Sequence, residues 1–311
     1  MRASVRRLTF VLLAATAASV AAEPTSLTAN AAALDAHTHL ISQALLDGLT
    51  GGGMPNLGAD ELIARLDEAH VDKAVVLSLG YFPQLDEAGS ASENDYAAGE
   101  VARYPDRLIG FCGINPMLDG ALAEVDRCLA LPGMVGVKLQ GAEFDWEDPD
   151  QAAAISAVLT RAGQLDAPVM LHVNAAPLDA RAIMSVLQVL GENRGTRITI
   201  AHAGGMLDIE TDTYLVTEYS VPPLIDRTNL YMDLSAHLEY YEDAPLSKRE
   251  LMVWRFRKWG IQKLFFGSDY LSFAPAQTPA EALETLVRYP FTQEEIDTIA
   301  SNDGSAWLVG E

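Results

Sequence analysis

The segment Leu34-Asp35-Ala36-His37-Thr38-His39 joins a short apolar run to two histidines at its end. Three later segments end in the same way, with an apolar run followed by a histidine or an aspartate. They are Val169-Met170-Leu171-His172, Ile198-Thr199-Ile200-Ala201-His202 and Leu264-Phe265-Phe266-Gly267-Ser268-Asp269. Each segment predicts a buried strand with a metal-ligating type of side chain at its carboxyl end. In a closed parallel barrel these ends meet at one mouth, where active sites lie.

The rest of the chain alternates between apolar runs and amphipathic stretches, which is the pattern of β/α units. Because the runs are largely apolar on both faces, they predict parallel strands covered by helices. Eight such units fit one α/β domain, a (β/α)8 TIM barrel of about 250 residues. An open doubly wound sheet is the alternative. The predicted strands are residues 34–40, 73–79, 108–115, 134–139, 168–173, 197–201, 230–234 and 264–267.

Helical periodicity fills most of the intervals between these strands. A glycine-rich loop is expected over 48–58, and an irregular helix within 206–227. The predicted helices are residues 59–70, 92–103, 121–131, 148–165, 179–190, 248–259, 279–287 and 292–300.

The amino terminus has the organisation of an export signal. Residues 1–7 are basic, residues 8–20 are apolar and small, and small residues precede Glu23. The apolar stretch is too short for a comfortable membrane span. We therefore expect residues 1–22 to be a signal peptide, and residues 23–311 to form a domain that is periplasmic or secreted. A retained anchor and a wrongly chosen start codon are the alternatives.

The 311 residues carry a formal net charge of −22 at pH 7, and only two of them are cysteines. The charge argues against general nucleic-acid binding. Cys112 lies in a predicted strand and Cys128 in the helix that follows it. Since such a helix packs on its strand, a disulfide is geometrically possible in an exported protein. Two buried free thiols are the alternative.

Five side chains at predicted strand ends could form a catalytic metal site. His37 and His39 are two residues apart on one strand and therefore point the same way. His172, His202 and Asp269 end other strands. A buried carboxylate needs a cation or hydrogen-bond donors, so Asp269 could bind the ion and take a proton from its bound water. Packed core histidines and a structural aspartate are the alternatives.

Several other side chains have less specific patterns. Lys138 ends the fourth strand and has three interpretations: it anchors a substrate anion, pairs with a carboxylate, or carries a carbamate that bridges two metals. His70 is expected to be structural, and His237 could line the pocket. Loop packing is the expected role of most aromatic residues near the predicted loops, which are Phe144, Trp146, Tyr214, Tyr219, Tyr240 and Tyr241.

Taken together, these motifs resemble the amidohydrolase superfamily. The likeness is to the amidohydrolase-related branch that includes aminocarboxymuconate-semialdehyde decarboxylase, resorcylate decarboxylases and several lactone hydrolases, and it spans roughly residues 33–310. The matching segments are Asp35-Ala36-His37-Thr38-His39, Gly136-Val137-Lys138-Leu139, Leu171-His172, Ala201-His202-Ala203-Gly204-Gly205 and Phe266-Gly267-Ser268-Asp269-Tyr270.

The resemblance implies one divalent metal, usually zinc, bound by His37, His39, His172 and Asp269. It also implies that His202 polarises a substrate carbonyl or shuttles a proton. In binuclear relatives His202 would bind a second metal and Lys138 would bridge the two ions.

The function that follows is metal-dependent hydrolysis of a lactone, ester or amide in a small carboxylated or sugar-like molecule. The alternative is non-oxidative decarboxylation of an aromatic or unsaturated acid at the same site. A metal-containing binding protein without turnover is the third possibility. The expected partner is a small-molecule substrate, with neither nucleic acid nor membrane after signal cleavage, and a homo-oligomer is left open.

Overall fold

The chain is described here from a computed structural model, over residues 32–141, 144–173, 180–204, 228–271 and 277–310. Parallel strands alternate with helices around a curled sheet, so the predicted fold class is confirmed. The strands in chain order are β1 (Ala32–His39), β2 (Val71–Leu77), β3 (Leu108–Ile114), β4 (Met134–Gln140), β5 (Val169–His172), β6 (Ile198–Ile200), β7 (Leu230–Asp233), β8 (Leu264–Phe265) and β9 (Tyr270–Leu271). Their order in the sheet is β8-β7-β6-β5-β4-β3-β2-β1-β9.

Helices cover the outside of this sheet and are numbered over the described residues. They are α1 (Gln43–Thr50), α2 (Gly58–Ala69), α3 (Glu87–Ala102), α4 (Ala121–Leu129), α5 (Pro149–Gln164), α6 (Ala180–Glu192), α7 (His237–Tyr240), α8 (Leu246–Trp259), α9 (Pro279–Arg288), α10 (Gln293–Ser301) and α11 (Ser305–Leu308). Short 3-10 turns occupy Ala201–Gly204 and Ile261–Lys263. Among the described helices, none has both the length and the apolar character needed to cross a bilayer.

The barrel closes between its first and last strands. β8 pairs with β7, whereas β9 pairs with β1. Between β8 and β9, the Phe266 carbonyl accepts a hydrogen bond of 2.9 Å from the Ala36 N–H, and the Asp269 N–H donates one of 2.9 Å to the His37 carbonyl. β8 and β9 are therefore two halves of the eighth barrel strand, and the segment between them brings Asp269 beside β1.

An apolar plug fills the amino-terminal half of the barrel interior. Trp307 of α11 is fully buried there, with its ring centroid 5.1 Å from that of Phe111 and 5.3 Å from that of Phe265. The Arg197 guanidinium donates a 2.7 Å hydrogen bond to the Trp307 carbonyl and ties α11 to the start of β6. The polar side chains of the interior consequently gather at the carboxyl ends of the strands.

A β-bulge in β1 aims the two histidines. Between Asp35 and Thr38 the register of β1 against β2 shifts by one residue. Ala36 belongs to the interior apolar cluster, so strict alternation would turn His37 to the opposite face. The extra residue resets the alternation, and His37 and His39 both point into the barrel mouth.

The observed elements differ from the predicted ones mainly after β1. Helix α1 occupies part of the region expected to be a loop, because Ser42 caps its first turn and Gly51, at φ +78°, ends it. Helix α3 starts before the predicted Ser92, because the Asp86 side chain accepts a hydrogen bond from the Gly89 N–H. The irregular helix expected within 206–227 lies outside the described residues.

Cys112 of β3 and Cys128 of α4 form a disulfide, with Cα atoms 6.0 Å apart. Both residues are fully buried. The bond decides between the two alternatives that the sequence left open, and it joins a strand to its own crossover helix. A cross-link that closes a loop of this length stabilises a fold by about 3 kcal/mol, chiefly through restriction of the unfolded chain.

Candidate metal centre

His37 and His39 lie next to each other at the barrel mouth, and a hydrogen bond to the Nδ1 atom of each ring fixes its orientation. His37 Nδ1 lies 3.1 Å from Asp233 Oδ2, and His39 Nδ1 lies 2.9 Å from the Leu77 carbonyl. Because both partners are acceptors, the ring hydrogens belong on Nδ1 and lone pairs are left on Nε2. The two Nε2 atoms are 3.1 Å apart. Two lone pairs at this distance need a cation or a proton between them.

Asp269 completes a triangle with these two nitrogens. Its Oδ1 lies 3.4 Å from His37 Nε2 and 3.5 Å from His39 Nε2. Metal–ligand bonds of about 2.1 Å at octahedral or tetrahedral angles place ligand atoms about 3.0–3.4 Å apart, so the three atoms fit one divalent cation. The Asp269 side chain is 25% exposed, whereas the histidines are buried, so the triangle is open to solvent on the side of Asp269.

His202 borders the triangle, and His172 contacts His202 in turn. The His202 ring centroid is 4.7 Å from that of His37 and 4.6 Å from that of His172. His202 lies in the 3-10 turn after β6 at φ +53°, which is a sparsely populated backbone region for a non-glycine residue. Its Nδ1 lies 3.0 Å from the Ser235 carbonyl. The mouth therefore contains all five side chains that the sequence singled out at the ends of strands 1, 5, 6 and 8.

Asp233, at the end of β7, was missed by the sequence analysis. Its Oδ2 orients the His37 ring, while Oδ1 accepts hydrogen bonds from the Ser235 N–H at 3.0 Å, from the Ser235 hydroxyl and from the His202 N–H at 3.3 Å. A carboxylate behind a ligating histidine fixes its tautomer and raises its basicity. The signal was present in the sequence, since Asp233 ends an apolar strand run as Asp269 does.

The side chain of Lys138 on β4 extends toward the Nε2 atom of His37. The ammonium group is buried, and Nζ lies 3.4 Å from His37 Nε2. Within the described ranges Lys138 forms no ion pair with a carboxylate. Burial lowers the pKa of Lys138 to about 8, and the nearby charges of Asp233 and Asp269 offset part of that effect.

The electrostatics of the triangle favour neutral histidines beside an ionised carboxylate. Burial, followed by the charge of Lys138, holds the pKa of His37 well below its ordinary value. Burial raises the pKa of Asp269, but attraction to His202, together with the nearby His39, outweighs it and holds this pKa well below its usual range. Neutral imidazole and ionised carboxylate are the forms that bind a metal ion.

Aromatic and apolar side chains line the wall next to His39. The Tyr81 ring is 6.4 Å from the His39 ring and stacks on Phe82 at 5.4 Å. Burial raises the pKa of Tyr81 well above its usual range, so the phenol is a neutral hydrogen-bonding group. This apolar cluster also contains Ile41, Leu45, Leu46, Leu79 and Leu85.

The remaining residues considered from the sequence are mostly structural. His237 is buried against the rings of Tyr241 and Phe256. Trp146 donates a hydrogen bond to the Val173 carbonyl, as expected for loop packing. His70 caps the end of α2. Phe144 packs against the core, Tyr240 is 55% exposed, and Tyr214 and Tyr219 lie outside the described residues.

A parallel barrel with histidines and an aspartate at its strand ends defines a class of metal-site proteins. The family model for Amidohydrolase matches residues 34–302, which is most of the chain and includes every residue of the mouth named above. The chain belongs to the amidohydrolase family, and the resemblance noted in the sequence is confirmed. No curated protein matches the chain by sequence.

Solved structures of the same architecture include hydrolases and decarboxylases. A probable 2-pyrone-4,6-dicarboxylic acid hydrolase from Acinetobacter baumannii is 20% identical with a TM-score of 0.63, covering 89% of this chain and 98% of its own. The 2,6-dihydroxybenzoate decarboxylase from Rhizobium is 17% identical with a TM-score of 0.59, covering 89% and 97%. The 5-carboxyvanillate decarboxylase from Novosphingobium aromaticivorans, complexed with manganese and a nitrobenzoic acid, is 14% identical with a TM-score of 0.61, covering 89% and 96%. These similarities show the fold.

The role of Asp233 leads to a prediction about metal affinity. In Asp233→Asn the amide can donate to His37 Nδ1, which moves the ring hydrogen to Nε2, where it faces the triangle. We expect the dissociation constant for zinc or manganese, measured by competition with a chelator, to rise about 10–100-fold. Asp72→Asn, at an exposed position on β2, is the control and should bind as the wild type does. A folded Asp233→Asn protein with unchanged affinity would show that Asp233 does not orient a ligand.

Proposed function

We propose that the protein is a metal-dependent hydrolase of a small lactone, ester or amide substrate. The observation that carries the proposal is the triangle of His37 Nε2, His39 Nε2 and Asp269 Oδ1, in which only the carboxylate is open to solvent. His37, His39, His172 and Asp269 are the proposed ligands of one divalent cation per chain. Zinc is the family expectation, and the manganese in the Novosphingobium decarboxylase structure makes that ion the second one to test.

The proposed chemistry assigns separate tasks to Asp269 and His202. A bound divalent cation lowers the pKa of a water molecule toward neutrality and polarises a carbonyl. Asp269, as the solvent-accessible carboxylate, takes the proton of the attacking water and returns it to the leaving group. His202 Nδ1 donates to the Ser235 carbonyl, which leaves Nε2 as the ring nitrogen that would act on the substrate. As an imidazolium, His202 donates from Nε2 to the developing oxyanion.

Decarboxylation by the same groups is the second candidate. The structural similarity to the 2,6-dihydroxybenzoate and 5-carboxyvanillate decarboxylases supports it, as does the buried ammonium of Lys138 beside the triangle, which suits a carboxylate substrate. Hydrolysis of a neutral ester or lactone releases a proton near neutral pH and no CO2. Decarboxylation releases CO2 and consumes a proton. A binding protein does neither.

The test of the enzyme proposal is the Asp269→Asn variant assayed for both reactions. We expect its turnover to fall by more than about 10²-fold, a typical loss for a general base, while the circular dichroism spectrum is retained. Proton release and CO2 are measured with a panel of lactones, carboxylate esters and 2,6-dihydroxybenzoate. Asp106→Asn, at an exposed position, is the control. Near-wild-type turnover in Asp269→Asn would contradict the proposed role, and CO2 as the product would select the decarboxylase.

We propose that Lys138 anchors a negative group of the substrate rather than bridging two metals. Its buried ammonium lies beside the triangle without a carboxylate partner among the described residues. A carboxylate or oxyanion of the substrate supplies that partner when it binds.

Elemental analysis of the wild type and of Lys138→Met tests this role. We expect one divalent metal per chain in both proteins, with KM raised about 10–100-fold in the variant through loss of a charged hydrogen bond. Two metals in the wild type and fewer in the variant would instead identify Lys138 as a carbamate bridge.

We propose that residues 1–22 direct export and that the domain of residues 23–311 works in the periplasm or outside the cell. The disulfide between Cys112 and Cys128 supports this location, because such bonds persist in oxidising compartments. An intact mass of the protein recovered outside the cytoplasm checks both features together. We expect the mass of residues 23–311 less two hydrogen atoms. A chain that retains residues 1–22, or one with two free thiols, would contradict the proposal.

A further inference from the structure

Asp35 is a buried carboxylate that joins the two parts of the chain forming the triangle. Its Oδ1 accepts hydrogen bonds from the His37 N–H at 3.2 Å and from the Ser268 N–H at 3.0 Å. Its Oδ2 accepts one from the Ser268 hydroxyl at 2.6 Å. Asp35 is fully buried. Since both oxygens face protein donors, the carboxylate is not itself placed as a metal ligand.

The bond to the His37 N–H lies within the bulge of β1. A bulge leaves backbone groups without their regular partner in the sheet, and an unpaired buried N–H is costly. Asp35 supplies the acceptor two residues before His37. It thereby stabilises the one irregular step that turns His37 and His39 into the barrel mouth.

The bonds to Ser268 hold the residue next to Asp269. Asp269 has φ +56°, a strained conformation that persists only where surrounding contacts enforce it. Its N–H donates to the His37 carbonyl, and the Ser268 hydroxyl oxygen accepts a 3.1 Å hydrogen bond from the Tyr270 N–H. The residues on both sides of Asp269 are therefore fixed, and Asp35 adds a side-chain link to β1 beside the backbone hydrogen bonds of Asp269 and β9.

We propose that Asp35 is a positioning residue that sets the distance between the histidine nitrogens and the Asp269 carboxylate, and thereby the affinity for the divalent cation. This inference rests on the proposed metal-dependent function. It assigns to Asp35 and Ser268 a single shared task, because the hydroxyl-to-carboxylate bond between them spans the closure of the barrel.

The experiment compares Asp35→Asn, Ser268→Ala and the double variant in the full chain. The dissociation constant for zinc or manganese is measured by chelator competition. We expect each single variant to raise it about 10–100-fold. The dissociation constant of the double variant should be no higher than that of the single variant that binds metal less tightly, because both changes remove the same hydrogen bond. The conservative variant Ser268→Thr keeps the hydroxyl, and its affinity for the metal should be near that of the wild type.

A control separates positioning from general stability. Val125→Ala on α4 removes buried apolar volume from the outer helix layer and lowers the urea midpoint of the metal-free protein. It should leave the metal dissociation constant unchanged. If Asp35 were merely structural, Asp35→Asn would behave as Val125→Ala does, with a lower midpoint and unchanged affinity.

The outcomes distinguish this inference from the proposed function. A wild-type protein that binds no divalent metal would overturn the proposed function. A wild type that binds metal, together with a folded Ser268→Ala protein of unchanged affinity, would overturn the role of Asp35 alone. If Asp35→Asn does not fold, Ser268→Ala alone tests the role of Asp35. Ser268→Ala keeps the hydrogen bond from the residue 268 N–H to Asp35 and removes only the bond from the hydroxyl.

Discussion

The contact between His37 Nε2 and His39 Nε2 at 3.1 Å is the constraint around which the barrel mouth is organised. Each ring has an acceptor behind it, so neither can turn its lone pair away without breaking a buried hydrogen bond. The repulsion between the lone pairs is relieved when a positive charge lies between them. The Lys138 ammonium, 3.4 Å from His37 Nε2, offsets this repulsion at one ring only, and a divalent cation bound between the two nitrogens would offset it at both.

Two buried carboxylates maintain this arrangement in different ways. Asp233 acts on the His37 ring from the end of β7, whereas Asp35 acts on the backbone at the start of the bulge. Asp233 sets the tautomer of the His37 ring, and Asp35 sets the position of the His37 backbone. Because they lie on strands at different places around the barrel, the geometry of the mouth depends on closure of the whole sheet. The loops that follow the strands then have the freedom to determine the substrate, which is how one fold accommodates both hydrolases and decarboxylases.

Much of this architecture could be predicted from local sequence. Apolar runs that end in histidine or aspartate located the strands to within a few residues, and the spacing of His37 and His39 placed both side chains on the same face of β1. The bulge could not be predicted, because it arises from the register of β1 against β2 rather than from any residue type. Asp233 was missed because the predicted seventh strand continued to Leu234, which placed the aspartate inside the run, whereas the observed strand ends at Asp233. Helix α1 was missed because glycines near its end dominated the local pattern, while its cap, Ser42, is a weaker signal.

The location of Trp307 has a consequence for how the chain acquires its structure. The indole that fills the amino-terminal half of the barrel follows all nine strands in sequence, and β9, which closes the sheet onto β1, follows the other eight. Sealing the interior therefore requires contacts between segments that are far apart in sequence, and such non-local contacts slow the folding of a domain. We expect closure of the sheet onto β1 to be a late event in folding, after the β/α units between these strands have formed.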